Sequence, residues 1–336
     1  MQKDFDKSFL NGNNTKDEII CGDCIEVLGK TSEPIADLIF ADPPFNIGYK
    51  YDKYYDKVKK NNFIAWTKEW IRVCKKVLKH HGSFYIAIGD DYAAHIKIIA
   101  EDLGLFMRNW IIWHYTFGQQ TKNKFARAHT HIFYFVNDRK NFTFNDHAVR
   151  VPSDRQLLYN DKRANPAGKM PDDVWDGYSR VCGTFKERTG WHPCQMPETL
   201  LKRIISASSN PGDCVLDPFC GSGTTASAAY QLGRHYVGVE ISKQYVEKAK
   251  KRLADLKRFG PELTVEGKPR YGNLVLDQTE LNDLIQLSVD MGKPLKEIAA
   301  DKNLLEIFTN QFSVRMNGRK QYSSYQIAAA AKELSD

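Results

Sequence analysis

The 336-residue sequence contains no run of about eighteen unbroken apolar residues, the length a membrane-crossing helix needs. Its opening, Met1-Gln2-Lys3-Asp4-Phe5-Asp6, has no apolar stretch of the kind that marks a secretory signal. Cysteine is sparse: seven residues, an odd number at irregular spacings, predict reduced thiols in a cytoplasmic protein, not a disulfide framework. No internal repeat is visible, which argues against a solenoid. With 42% hydrophobic and 26% charged residues the chain is neither disordered nor fibrous. What remains is a globular protein, long enough for one large domain with insertions or for two to three units.

The net charge of +7 is modest but unevenly spread. Residues 46–82 hold ten Lys/Arg against Asp52, Asp56 and Glu69, whereas 261–336 hold nine basic and eleven acidic residues. The basic segment is interleaved with Tyr49, Tyr51, Tyr54 and Tyr55. Such a segment suits phosphate contact, and a solvated lysine-rich helix face is the plainer reading.

Two apolar runs look like buried parallel strands. Residues 35–41 end abruptly at Asp42-Pro43-Pro44, and Cys214-Val215-Leu216 ends at Asp217-Pro218. Further strands are expected at 18–21, 83–88, 108–114, 131–136 and 236–239. Helices are expected at 61–79, 92–103, 197–209, 223–232 and 242–257. This alternation predicts a doubly wound α/β sheet. Regularity fails over 138–191, as a long functional insertion would require. Residues 261–336 read as mainly helical, ending in an Ala-rich helix over 325–334. Within them 296–308, followed by Arg315, Arg319 and Lys320, could form a small helix-turn-helix, although such short runs are more often packing modules.

The stretch Asp217-Pro218-Phe219-Cys220-Gly221-Ser222-Gly223-Thr224-Thr225 turns a buried strand through glycines into a helix start. Glycines let the backbone approach a ligand whose polar part sits near a helix N-terminus. The third glycine of a nicotinamide fingerprint is missing, and Asp217 would repel a pyrophosphate. A carboxylate there suits the cationic S-adenosylmethionine zwitterion instead, and Glu240 ends the next strand where ribose hydroxyls could reach it. The second motif, Asp42-Pro43-Pro44-Phe45, also ends a strand, at the sheet edge where ligands of such folds collect. The amino group of a base is a poor nucleophile because its lone pair is delocalised into the ring. Hydrogen bonds to Asp42 and to a proline carbonyl would favour a pyramidal nitrogen aimed at a methyl donor. The prolines stiffen that carbonyl, and Phe45 offers a stacking face for a flipped base.

With the tetrapeptide early and the glycine loop late, the pair resembles the beta class of DNA amino-methyltransferases, a circularly permuted form of the methyltransferase fold. Cys21-Gly22-Asp23-Cys24-Ile25-Glu26, Phe125 to Phe135, and His192-Pro193-Cys194-Gln195-Met196-Pro197 match further family elements. Met196 stands where the family has Lys, and Thr130 where an acidic residue often follows the histidine.

The resemblance covers residues 18–257. It implies a Rossmann-like, mostly parallel sheet, with a catalytic domain from 1–137 and 192–258, a target-recognition insertion over 138–191 and a helical extension over 259–336. It also implies S-adenosylmethionine as donor and double-stranded DNA as substrate, with a homodimer and a cognate restriction endonuclease left open as partners. Asp42, Pro43, Pro44 and Phe45 would be catalytic. Asp23, Cys24, His192, Gln195, Asp217, Phe219, Gly221, Ser222, Gly223, Thr224 and Glu240 would hold cofactor. Lys50, Lys53, Lys57, Arg127, Arg155 and Arg163 are candidate DNA contacts, and no metal is expected.

Rival readings are weaker. Cys21-x-x-Cys24 lacks a second cysteine pair for zinc. His129-x-His131 reads as one inward and one outward strand residue. Pro193-Cys194 mimics the nucleophile of cytosine ring-carbon methyltransferases, which have no use for an Asp-Pro-Pro-Phe clamp. Asp in the first catalytic position favours adenine N6 over cytosine N4 within the family. An RNA or protein-glutamine methyltransferase would more often lead with Asn, and a non-enzymatic DNA-binding module would show a degenerate loop at 217–224.

Overall fold

The structure is a computed structural model that describes residues 16–119, 121–183, 185, 187–259, 270–271, 274–318 and 320–335. Eight strands build one sheet: β1 (Glu18–Cys21), β2 (Ala36–Ala41), β3 (Leu78–Ile88), β4 (Phe106–Gln119), β5 (Arg127–Val136), β6 (Val174–Trp175), β7 (Cys214–Asp217) and β8 (His235–Glu240). Their order across the sheet is β1-β8-β7-β2-β3-β5-β4-β6. The first five run parallel, β5 is antiparallel to β3 and β4, and β6 runs parallel to β4. The chain leaves β7 toward β8 on one side and leaves β2 toward β3 on the other. The β7/β2 boundary is therefore the topological switch point, where open α/β sheets bind ligands.

The helices of this layer are α1 (Cys24–Gly29), α2 (Lys60–Val77), α3 (Asp90–Asp102), α4 (Glu198–Ser208), α5 (Thr224–Gln231) and α6 (Lys243–Phe259). Every residue of β2 is buried, because helices cover both faces. Ile39, Phe84 and Leu216 pack with Trp70 and Ile96 on one face. Leu38, Phe40 and Val215 pack with Leu200, Ile204 and Ala228 on the other. No helix among the described residues is long and apolar enough to cross a membrane.

The helix expected over 61–79 ends at Val77, and Leu78 already belongs to β3. Pairing then jumps from Ala36–Leu78 to Leu38–Ser83, so residues 79–82 bulge out of register. The bulge brings Lys79 Nζ and His81 Nε2 to within 2.8 and 2.9 Å of the buried Asp37 carboxylate, which also accepts from Cys214 N at 2.8 Å. A buried carboxylate needs such partners, and this requirement overrides the helical periodicity.

The 138–191 stretch holds short helices, Asp146–Val149 and Asp154–Leu157, a bridge from Val151 to Lys169, and the edge strand β6. Beyond it lie α7 (Gln278–Asp290), α8 (Leu295–Ala300), α9 (Lys302–Arg315) and α10 (Ser324–Glu333). These four share their own core, which includes Leu284, Leu287, Ile298, Phe308, Phe312 and Ile327. The helix-turn-helix reading fails on Arg315, which is buried and bonded to Asp290 at 2.6 Å. Lys320 pairs with Glu280 at 2.6 Å, and Arg319 lies outside the described residues. Arg315 and Lys320, two of the three basic residues on which that reading leaned, are thus engaged within the helical core and its edge.

Candidate active site

A cavity of 390 Å³ opens at the carboxyl ends of β7 and β2. Its walls include Asp42, Pro43, Pro44, Phe45, Asp23, Cys24, His192, Gln195, Asp217, Phe219, Gly221, Ser222, Thr224 and Glu240. Of the residues expected to hold cofactor, Gly223 alone is absent from that wall. It is the left-handed turn residue at the start of α5, with φ 76°, and faces Ala249 and Ile19 of the core.

One half of the cavity is built by backbone geometry. After β7, Gly221 takes φ 47°, and a Cβ there would sit 2.8 Å from His192 Nε2. The Gly221–Ser222 turn can therefore pack against the His192 ring only because residue 221 has no side chain. Glu240 accepts from Gly221 N at 2.9 Å and from Ser242 N at 2.8 Å, one bond per carboxylate oxygen. Each oxygen keeps accepting capacity. Asp217 accepts from Phe219 N at 2.9 Å and from the Thr225 hydroxyl at 2.5 Å. Asp23 caps α1, accepting from Ile25 N at 2.8 Å. Phe219 rests against Trp66 and Trp70, with ring centroids 5.7 and 5.3 Å away.

The other half is aromatic and acidic. Asp42 follows β2 directly, and among the described residues its carboxylate has no hydrogen-bond partner. Burial, and then the charge of Asp217, push its carboxyl up to about 7 against the pull of Arg180. Asp217 is likewise pushed up to about 7, chiefly by burial, while Thr225 and the Phe219 N–H draw it down. Burial also raises Glu240. Three carboxyl groups in one pocket, all held above their usual range, favour a cationic ligand.

Asp56 fixes the turn that follows the tetrapeptide. Its fully buried carboxylate accepts from Asn46 N at 2.6 Å and Ile47 N at 3.2 Å. A hairpin pairing Tyr49–Lys50 with Tyr55–Asp56 then folds beside the cavity. It is pinned where Ser242 Oγ donates to Asp52 at 2.6 Å and Tyr51 Oη donates to Cys194 Sγ at 3.7 Å. Trp113, Tyr115, Thr130, Tyr51 and Arg180 complete this half. Thr130 stands out in the sequence only as a departure from the family pattern and Tyr51 only as part of the tyrosine-rich segment; no local motif marks Trp113, Tyr115 or Arg180, although the aromatic alternation of β4 is visible in the sequence.

The remaining expected residues divide. Lys53 and Arg127 reach the cavity wall, and Lys50 and Lys57 are exposed on the hairpin. Arg155 and Arg163 are both bound to Asp161, at 2.7 and 3.0 Å, within the insertion and away from the cavity wall. Gln195 lines the cavity, but its amide donates to the Glu187 carbonyl and accepts from Thr189 N. It secures the preceding loop. Burial lowers His192 to about 4, so its ring is neutral near pH 7. Burial pushes the Cys24 thiol up to about 12, an environment for an inert thiol and not a reactive thiolate.

The reading of His129 and His131 as facing opposite ways is wrong. Residues two apart in a strand share a face, and the two rings lie 4.9 Å apart. Both turn toward Asp90 on α3, with Nε2 at 3.4 and 3.2 Å from the carboxylate. Arg127 Nε donates to the same carboxylate at 2.8 Å. Trp110 Nε1 donates to His131 Nδ1 at 2.9 Å, so the proton of a neutral His131 sits on Nε2, facing Asp90. That tautomer offers a donor toward Asp90 and no lone pair for a metal.

Comparison with known proteins agrees with this geometry. The DNA methylase family model for N6/N4 enzymes matches residues 36–251. The chain is 40% identical over 274 residues to the DNA adenine methyltransferase YhdJ of Escherichia coli, covering 78% of this chain and 91% of that protein. It is also 40% identical over 236 residues to the type II methyltransferase M.HpaI of Haemophilus parainfluenzae, covering 70% and 73%. The crystal structure of the M1.HpyAVI–SAM complex superposes with a TM-score of 0.52 at 26% identity, covering 70% of this chain and 98% of that one. The fold is shared with the cytosine-N4-specific PvuII DNA methyltransferase, at a TM-score of 0.55 and 18% identity over 82% of this chain and 93% of that one. The chain belongs to the DNA methylase family and is an S-adenosylmethionine-dependent DNA methyltransferase.

Proposed function

We propose that the protein methylates the N6 amino group of an adenine flipped out of double-stranded DNA. The observation that carries this reading is the Asp42 carboxylate, without a hydrogen-bond partner among the described residues and held next to Pro43 and Pro44 at the switch point beside the Asp217 loop. The adenine assignment draws support from the relative named a DNA adenine methyltransferase, and from the acid that leads the tetrapeptide.

The residues present suit the methyl donor. Glu240 can accept from ribose hydroxyls while keeping its two backbone bonds. Asp217, the Gly221–Ser222 turn and the start of α5 would hold the charged amino-acid end. Bound there, S-adenosylmethionine supplies an electrophilic methyl group and a positive charge that offsets the acidic trio. Asp42 accepts one N–H of the adenine amino group, and a proline carbonyl accepts the other. The nitrogen lone pair then points at the methyl carbon for in-line displacement. Phe45, Trp113 and Tyr115 give the extruded base aromatic faces in place of its stacked neighbours. Poised near neutrality, Asp42 is also placed to take the proton that the methylated nitrogen sheds. The seven cysteines, none of them in a disulfide, suit a reducing cytoplasm.

Incubation with methyl-labelled S-adenosylmethionine and equal masses of mixed-sequence duplex DNA and RNA tests the substrate class. Label is expected in the DNA; label confined to RNA would refute the proposal.

A further inference from the structure

Strands β4 and β5 are joined by a turn that carries an unusual side chain. Phe125 is 99% exposed, the most exposed of the large hydrophobic residues described. It lies outside β5, which begins two residues later at Arg127. Around it the sequence Thr121-Lys122-Asn123-Lys124-Phe125-Ala126-Arg127 has three cations and no acid, and Lys122 and Lys124 are also exposed. The Thr121 hydroxyl donates to the Lys124 carbonyl and tightens the turn. A side chain at Gly118 would strike the Arg127 carbonyl, so the strands cross closely at the turn's base.

The same base is part of the cavity wall. Arg127 lines it, tied to Asp90 at 2.8 Å, and its guanidinium lies beside Gly89 together with the Phe45 ring. Phe125 is two residues from Arg127, at most about 7 Å of extended chain. A phenylalanine fully in water loses the gain of burial, and no neighbour among the described residues covers it. Its position directly after Lys122 and Lys124, two residues before the cavity-lining Arg127, matches a partner that is anionic outside and apolar between its layers. A DNA duplex with one nucleotide extruded is such a partner.

We propose that Phe125 is a wedge that enters the DNA stack where the target adenine leaves it, with Lys122 and Lys124 seated on the flanking phosphates. The inference rests on the DNA-methylating reading above and adds the residue that holds the vacated space. Stacking on Phe125 replaces part of the stacking lost on extrusion, so its contribution is largest when the target starts out fully paired.

The experiment compares Phe125→Ala, Phe125→Trp and the unaltered enzyme on two duplexes. One carries the methylation site mapped from DNA modified by the unaltered protein, and the other carries the same site with a mismatch opposite the target. Phe125→Ala is expected to lower kcat/KM on the paired duplex by about tenfold to a hundredfold. Most of that loss should vanish on the mismatched duplex, Phe125→Trp should retain activity, and S-adenosylmethionine affinity should not change. Equal losses on both duplexes, or full activity of Phe125→Ala on the paired one, would overturn the wedge. If the unaltered protein modifies no DNA, so that no site can be mapped, the DNA-methylating reading itself has failed.

Discussion

Asp42→Ala is expected to lower methyl transfer by about a thousandfold while S-adenosylmethionine binds nearly as before. The change removes the carboxylate that accepts from the amino group, and it leaves the Gly221 turn and the Asp217 and Glu240 bonds in place. Rapid-quench single turnover with labelled donor measures the first part, and calorimetric titration with S-adenosylmethionine the second. Loss of cofactor binding as the main effect would show that Asp42 belongs to the donor's site. The pH dependence follows with a definite sign. The ionised carboxylate is the stronger acceptor and the only form able to take the proton, and the Asp42 carboxyl of the free enzyme is pushed up to about 7. Since kcat/KM reports groups of the free enzyme, it should fall as pH drops through that value.

Asp290→Ala should have the largest effect on stability. Asp290 closes α7 at full burial and joins three parts of the chain. It accepts from Tyr178 Oη of the insertion at 2.5 Å, from Arg315 of α9 at 2.6 Å and from Gln286 at 2.9 Å, and Arg203 of α4 lies 3.4 Å away. Arg315 also donates to the Arg150 carbonyl, and Gln311 to the Ala167 carbonyl, so α9 braces the insertion directly. Removing the carboxylate strands two buried guanidinium groups. Breaking a buried pair in this way costs about 3–5 kcal/mol, a fall in thermal midpoint of about 4–7 °C for a chain of this size. Differential scanning calorimetry decides it, and a loss below about 1 kcal/mol would mean the joint is not a structural keystone.

Burial alone would raise the Asp290 carboxyl. The charges of Arg203 and Arg315, with the bonds from Tyr178 and Arg315, outweigh it and hold it below the usual range. The joint's contribution is therefore complete above the ordinary carboxylate range and is lost only as pH falls below it.

The core of the sheet and the two ligand-facing turns were legible because their signals are local. Strand β2 is an unbroken apolar run that stops at Asp42-Pro43-Pro44, and β7 stops at Asp217 before a glycine turn. Continuous hydrophobicity marks parallel strands buried on both faces, and the carboxyl ends of such strands meet wherever the topology reverses. What escaped depends on polar contacts between distant residues, which leave no period. Asp37 reaches Lys79, His81 and Cys214 through a bulge that periodicity cannot show. Asp290 meets Tyr178 across 112 residues. Arg180 comes to the cavity from an irregular stretch in which no element could be assigned. The histidine pair differs: a strand repeats every two residues, so His129 and His131 share a face and both turn to Asp90.

One measurement bears most directly on the central claim, that the Asp42 clamp serves an adenine amino group. Duplex DNA methylated by the purified protein is digested to nucleosides, and the modified nucleoside is identified by mass and retention. N6-methyldeoxyadenosine is the expected product. N4-methyldeoxycytidine as the product would contradict the adenine assignment, and 5-methyldeoxycytidine would contradict the amino-group mechanism altogether.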